Sequence, residues 1–107
     1  MTCQKSSNNM DYQIKNLKLG ELTFGLEVVK QHPTEGLKGS IDHQSLKIVI
    51  QKQSDAAMIE TILHEIIHAI YHFSQIKGCE KDVTRLTHWL LAVLKDNPEF
   101  VGVIGSI

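Results

Sequence analysis

Ser54-Asp-Ala-Ala-Met-Ile-Glu-Thr-Ile-Leu-His64-Glu65-Ile-Ile-His68-Ala-Ile-Tyr-His-Phe-Ser-Gln75 is the stretch on which the fold turns. Ser54 is a helix cap, and Asp55 places an acid in the first turn, where the helix dipole favours it. Beyond it Ile59, Ile62, Ile66, Ile70 and Phe73 fall within one arc at about 100° per residue, which predicts a core-facing stripe. Thr61, His64, His68, Tyr71 and Gln75 occupy the opposite side. Gly78 stops this helix, and a second is predicted from about Glu80 to Asn97, with Val83, Leu86, Leu90, Val93 and Leu94 on its apolar side. Pro98 cannot continue it and pushes Asn97 out of the helical region.

Upstream the period changes. Leu22, Phe24, Leu26 and Val28 alternate with Thr23, Gly25, Glu27 and Val29, the pattern of a half-buried strand. The segment His32-Pro33-Thr34-Glu35-Gly36 reads as a loop. Gly39 to Asp42 and Leu46 to Ile50 flank a short polar turn and predict a hairpin, with Leu46, Ile48 and Ile50 alternating inward. Three strands followed by two helices make a small α+β domain. Residues 1–13 read as a flexible polar tail and residues 14–107 as one domain; the apolar run Phe100 to Ile107 suits packing without declaring a form.

Composition narrows the functional classes. In 107 residues, 42% are hydrophobic and 21% charged, so the chain is an ordinary globular sequence rather than a disordered one. Eleven Lys and Arg against twelve Asp and Glu leave a net charge of −1, with no basic excess to hold nucleic-acid phosphates. No apolar run approaches the roughly 20 residues of a membrane helix. The two cysteines, Cys3 and Cys79, suit free thiols in a reducing cytoplasm. Histidine is the unusual residue: there are six, and four lie between His64 and His88.

His64-Glu65-Ile66-Ile67-His68 is an HExxH motif. Two histidines four apart stand one helical turn apart, so both imidazoles can reach a single ion. Glu65 sits to the side, where it can take a proton from a metal-activated water without becoming a ligand. The same residues also fit a plain solvated helix face. A catalytic zinc usually takes a third protein ligand. The extended HExxHxxGxxH arrangement is excluded, because Tyr71 stands in place of its Gly and Ser74 in place of its last His. Cys79, Glu80, Asp82 and His88 remain as candidates. Helical angles place Glu80 and Asp82 beside the apolar stripe of the second helix and His88 on its far side, so the two acids rank first. Both acids also fit a helix start on electrostatic grounds alone. His72 lies about 12 Å along the axis from His64, too far to share its ion. Trp89 reads as packing, and His32 and His43 as loop or turn residues.

Gly39-Ser-Ile-Asp42, Leu46-Lys-Ile-Val-Ile50, the block Thr61 to Ile70, Glu80-Lys-Asp-Val83 and Asp96-Asn-Pro-Glu99 occur in that order. Together they resemble the small phage- and prophage-associated zinc metallopeptidases related to the ImmA/IrrE group, over roughly Gly36 to Glu99. The resemblance implies a zincin-like fold, a small three-stranded antiparallel sheet packed on the HExxH helix and a second helix. It implies Zn2+ held by His64, His68 and an acid of the second helix, with Glu65 as base. The family's acid precedes a small or apolar residue by three positions; Glu80 with Val83 matches, and Asp82 competes. The expected activity is a cytoplasmic zinc-dependent endopeptidase acting on a protein or peptide, such as a repressor. Tyr71 is a candidate transition-state stabiliser, and the Leu46–Ile50 strand the candidate edge for pairing with substrate. The alternative is a non-catalytic zinc-binding regulatory or interaction module.

Overall fold

A computed structural model describes residues 14–107. The predicted tail, residues 1–13 with Cys3, lies outside the described residues. Four strands precede three helices: β1 (Asn16–Leu19), β2 (Leu22–Val29), β3 (Gly39–Asp42), β4 (Lys47–Gln51), α1 (Asp55–Phe73), α2 (Glu80–Asp96) and α3 (Pro98–Gly105). The α+β class stands, but the sheet is four-stranded and mixed rather than three-stranded and antiparallel, in the order β1-β2-β4-β3.

Two local facts produce that difference. Gly20, with φ of 63°, turns the chain between Leu19 and its partner Leu22, so β1 forms a hairpin with β2. The loop after β2 is long enough to step over one strand position. The β3–β4 hairpin therefore returns with β4 beside β2, parallel to it, with Leu26 opposite Ile48 and Val28 opposite Ile50. Asp42 shapes the hairpin turn by accepting the amide N–H groups of Gln44 and Ser45 at 2.9 and 3.2 Å. The Leu46–Ile50 strand is thus internal, flanked by β2 and β3, and its backbone is already paired. The free edge beside α1 belongs to β3, which pairs only with β4.

α1 crosses the sheet and begins as expected, with the Ser54 hydroxyl accepting the Ala57 N–H at 3.3 Å. Its buried residues are Met58, Ile62, Glu65, Ile67 and Ala69, whereas Ile59 and Phe73 are exposed. The inward face is therefore rotated from the isoleucine stripe. The helix is covered on two sides, and its sheet side carries Met58, Ile62 and Ala69 against Phe24, Ile48 and Ile50. Ile67 lies outside that cluster, as do the buried Val83 and Thr87 of α2, and these account for the α1–α2 seam. Leu86 and Val93, expected inside, are exposed because α2 turns its Val83–Thr87 side toward α1. Asn97 leaves the helix at φ −131° and ψ 64°, and Pro98 then opens α3 at a position where its missing N–H costs nothing.

Gly39 carries a close approach. A Cβ there would stand 2.5 Å from Cγ2 of Thr61, 3.1 Å from Cδ1 of Ile50 and 3.4 Å from Oε2 of Glu65. Thr61 has little freedom to yield, since its hydroxyl donates to the Ala57 carbonyl at 2.9 Å. Gly39→Ala is expected to destabilise the domain by about 1–3 kcal/mol through overpacking. Thermal denaturation checks it, with a fall of roughly 4–8 °C per kcal/mol in a domain of this size.

Candidate metal centre

One turn of α1 carries His64 and His68 on the side facing the start of α2, their ring centroids 4.9 Å apart. The chain leaves α1 through Gln75, which adopts the left-handed region at φ 58°. The Ile76 N–H then closes on the Tyr71 carbonyl at 2.9 Å. This reversal brings Glu80, the first residue of α2, over both histidines. His64 Nε2 lies 2.7 Å from Oε2 of Glu80, and His68 Nε2 lies 2.8 Å from Oε1. The ligand atoms of His64, His68 and Glu80 all lie within 4.8 Å of one another, and this is the only such His, Cys, Asp and Glu group among the described residues.

Two imidazole nitrogens and one carboxylate oxygen are a donor set that can hold a metal ion. The Glu80 side chain is 67% exposed, and ion pairs so open to water contribute about 0–1 kcal/mol.

Glu65 completes the site from the neighbouring side of α1. It is 7% exposed, tucked beside Gly39 of β3. Burial pushes its carboxyl above the ordinary range, while the nearby His64 and His68 draw it back down. Glu65, His64 and Glu80 line one open cleft of about 270 Å³, whose opposite wall is Gly36, Leu37, Lys38 and Gly39.

The remaining sequence candidates separate clearly. Asp82 is exposed and caps its own helix, its Oδ2 accepting the Cys79 N–H at 3.2 Å. Cys79 is exposed at the start of α2 and outside the His64, His68 and Glu80 cluster. His88 stands edge-on to Trp89 on the exposed side of α2. The Tyr71 ring packs on Gly78, where an added Cβ would strike it, so it supports the loop that delivers Glu80.

Two histidines without evident partners in the sequence have them in the structure. His32 is buried; its Nδ1 accepts the Thr34 N–H at 2.9 Å, which leaves the proton on Nε2 to donate to Ser40 Oγ at 2.8 Å. Its own N–H donates to Gln51 Oε1 at 2.9 Å. His32 thereby ties the loop along the cleft wall to β3 and β4. No local signal marks it, because Ser40 and Gln51 come near only through the sheet pairing.

His43 stacks on His72, with centroids 4.0 Å apart and planes within 5°. Its Nδ1 is buried with no hydrogen-bond partner among the described residues. Burial first, then His72 and His68, hold the His43 imidazole below the ordinary range. The unfolded chain therefore binds this proton more readily than the folded one. The stability it contributes is present above the ordinary histidine pKa of 6.5 and is lost as pH falls through the depressed value. His43→Phe keeps a ring for the stack and removes the proton site, so melting temperatures between pH 7 and 5 are expected to fall less steeply than in the parent.

The chain matches no protein-family model, no curated protein and no solved structure. Among the described residues no helix is long and apolar enough to cross a membrane.

Proposed function

We propose that this chain is a small zincin-like, zinc-dependent endopeptidase of the kind its HExxH sequence resembles. The observation that carries the reading is the convergence of His64, His68 and Glu80 within 4.8 Å, with the buried Glu65 lining the same cleft. His64, His68 and Glu80 would hold the ion. Zinc supplies Lewis acidity there, polarising a carbonyl and easing the ionisation of water.

The chain's own groups do the rest. Glu65 accepts a proton from the attacking water at its carboxylate and returns it to the departing amine nitrogen. Its burial keeps the carboxyl from being a weak base, and Gly39 leaves room for it beneath β3. The open edge of β3 runs alongside α1 and presents unpaired backbone groups to an extended peptide, a form of strand addition. Substrate would therefore lie along β3 rather than β4. Only three ligating side chains converge among the described residues, which supports an open coordination position over a closed structural site. The substrate class this reading carries is a protein or peptide in the cytoplasm, such as a repressor.

The test is cleavage of a diverse peptide library by the protein loaded with one equivalent of zinc, read by mass spectrometry. New termini that disappear on chelation and return with zinc support the proposal. A loaded protein that leaves the library and candidate repressors intact favours the non-catalytic module.

A further inference from the structure

Beyond His64, Glu65 and Glu80, the cleft at the metal centre is lined by Gly36, Leu37, Lys38, Gly39, Glu60 and Thr61. Few of these have a side chain to offer a substrate. The two glycines have none. The Thr61 hydroxyl is engaged, donating to the Ala57 carbonyl at 2.9 Å and accepting from Gln53 Nε2 at 3.4 Å. Lys38 continues the β3–β4 ladder, its carbonyl accepting the Gln51 N–H at 2.8 Å. Successive residues of an extended chain face opposite ways. Gly39 faces α1, since a Cβ there would strike Thr61. The Lys38 side chain therefore leaves on the far face of the sheet, where the Gln51 side chain meets the His32 N–H.

Two side chains remain. Leu37, two places before Gly39, returns to the α1 side at 43% exposure and is the one large apolar side chain lining the cleft. Glu60 stands one helical turn before His64, roughly 6 Å along the axis. It is exposed at the cleft rim, and among the described residues no side-chain hydrogen bond or ion pair engages its carboxylate. An apolar surface beside an unpaired carboxylate matches a side chain with a hydrocarbon stem and a cationic tip.

We propose that Leu37 and Glu60 form a subsite for a lysine or arginine of the substrate, within two residues of the scissile bond. The inference rests on the peptidase reading of this cleft and adds which peptides it takes. Leu37 covers the aliphatic stem, and Glu60 pairs with the ammonium or guanidinium. An extended peptide advances about 3.3 Å per residue, so the roughly 6 Å from His64 to Glu60 spans about two residues. A substrate carboxylate at that position meets Glu60 as a like charge and is rejected.

Peptide hydroxamic acids grip zinc directly and need no cleavage, so they serve as probes. Two sets carry the hydroxamate at either end of the peptide, with lysine, norleucine or glutamate one or two residues from it. Calorimetric titration of the zinc-loaded parent is expected to show the lysine analogue binding about 5-fold tighter than the norleucine one, the upper range for a pair this open to water. The glutamate analogue binds weakest. Glu60→Lys, a change at an exposed helix position, is expected to invert the order with zinc stoichiometry unchanged. Leu37→Ala is expected to weaken the lysine and norleucine analogues alike. A parent that binds all three equally, or none, overturns the proposal. So does a Glu60→Lys protein with the parent's order, or a Leu37→Ala protein indistinguishable from the parent. The peptidase reading is judged apart from it by the library digest. Lysine-selective binding with an intact library keeps the subsite and removes the peptidase; cleavage without a basic residue near the new termini keeps the peptidase and removes the subsite.

Discussion

Glu65→Gln is expected to leave zinc bound at one equivalent while lowering peptide hydrolysis by about 10²–10⁴-fold, the usual contribution of a positioned general base. The substitution keeps the shape of a side chain that is almost fully buried, so the helix and cleft survive it. It removes only the capacity to take a proton. The separation of readouts makes the result informative: metal content reports on His64, His68 and Glu80, and turnover reports on Glu65. Loss of both together would show that Glu65 holds the site's structure and would refute its role as base. Full turnover with glutamine in place would require another base, and no other buried carboxylate occurs among the described residues.

The second large effect concerns the metal itself. His64→Ala or His68→Ala removes one of the three converging side chains proposed to hold the ion. Either is expected to lower zinc affinity by more than the roughly 10–100-fold cost of losing an outer supporting group. Glu80→Ala is expected to behave likewise, since its carboxylate stands within 2.8 Å of both imidazoles. Asp82→Ala separates the two acids. Its carboxylate caps α2, so its loss is expected to cost helix stability of about 1 kcal/mol and leave zinc affinity unchanged. Metal titration after metal-free purification reads all four variants. Stoichiometric tight binding by His64→Ala would place the ion elsewhere and remove the basis of the proposed function.

How much of this was legible in the sequence follows the range of the forces involved. The HExxH pair is a local matter: one helical turn separates His64 from His68, and Ser54 starts that helix in the structure as its sequence suggests. The inward face of the same helix was not legible from hydrophobicity. Its centre includes Glu65, a charged residue, and two different partners cover α1 instead of one. The hairpin of β3 and β4 was readable from its alternation and polar turn. The parallel pairing of β2 with β4 was not, because nothing in a loop's composition states which strand it steps over.

The sequence by itself therefore determined the α+β class, the two histidines that share one face, and a short list of acids. Helical period, capping and turn chemistry act within a few residues, and those are printed in the chain. Only the tertiary structure decided between Glu80 and Asp82, two residues apart on one helix. The left-handed Gln75 and the Tyr71 ring against Gly78 set where α2 begins, and that placement brings Glu80 over the imidazoles while Asp82 turns back to its own backbone. Tertiary structure likewise made β3 the free edge and seated His32 behind the cleft wall. These outcomes depend on contacts between segments far apart in the chain, where a small change in one turn moves every side chain beyond it.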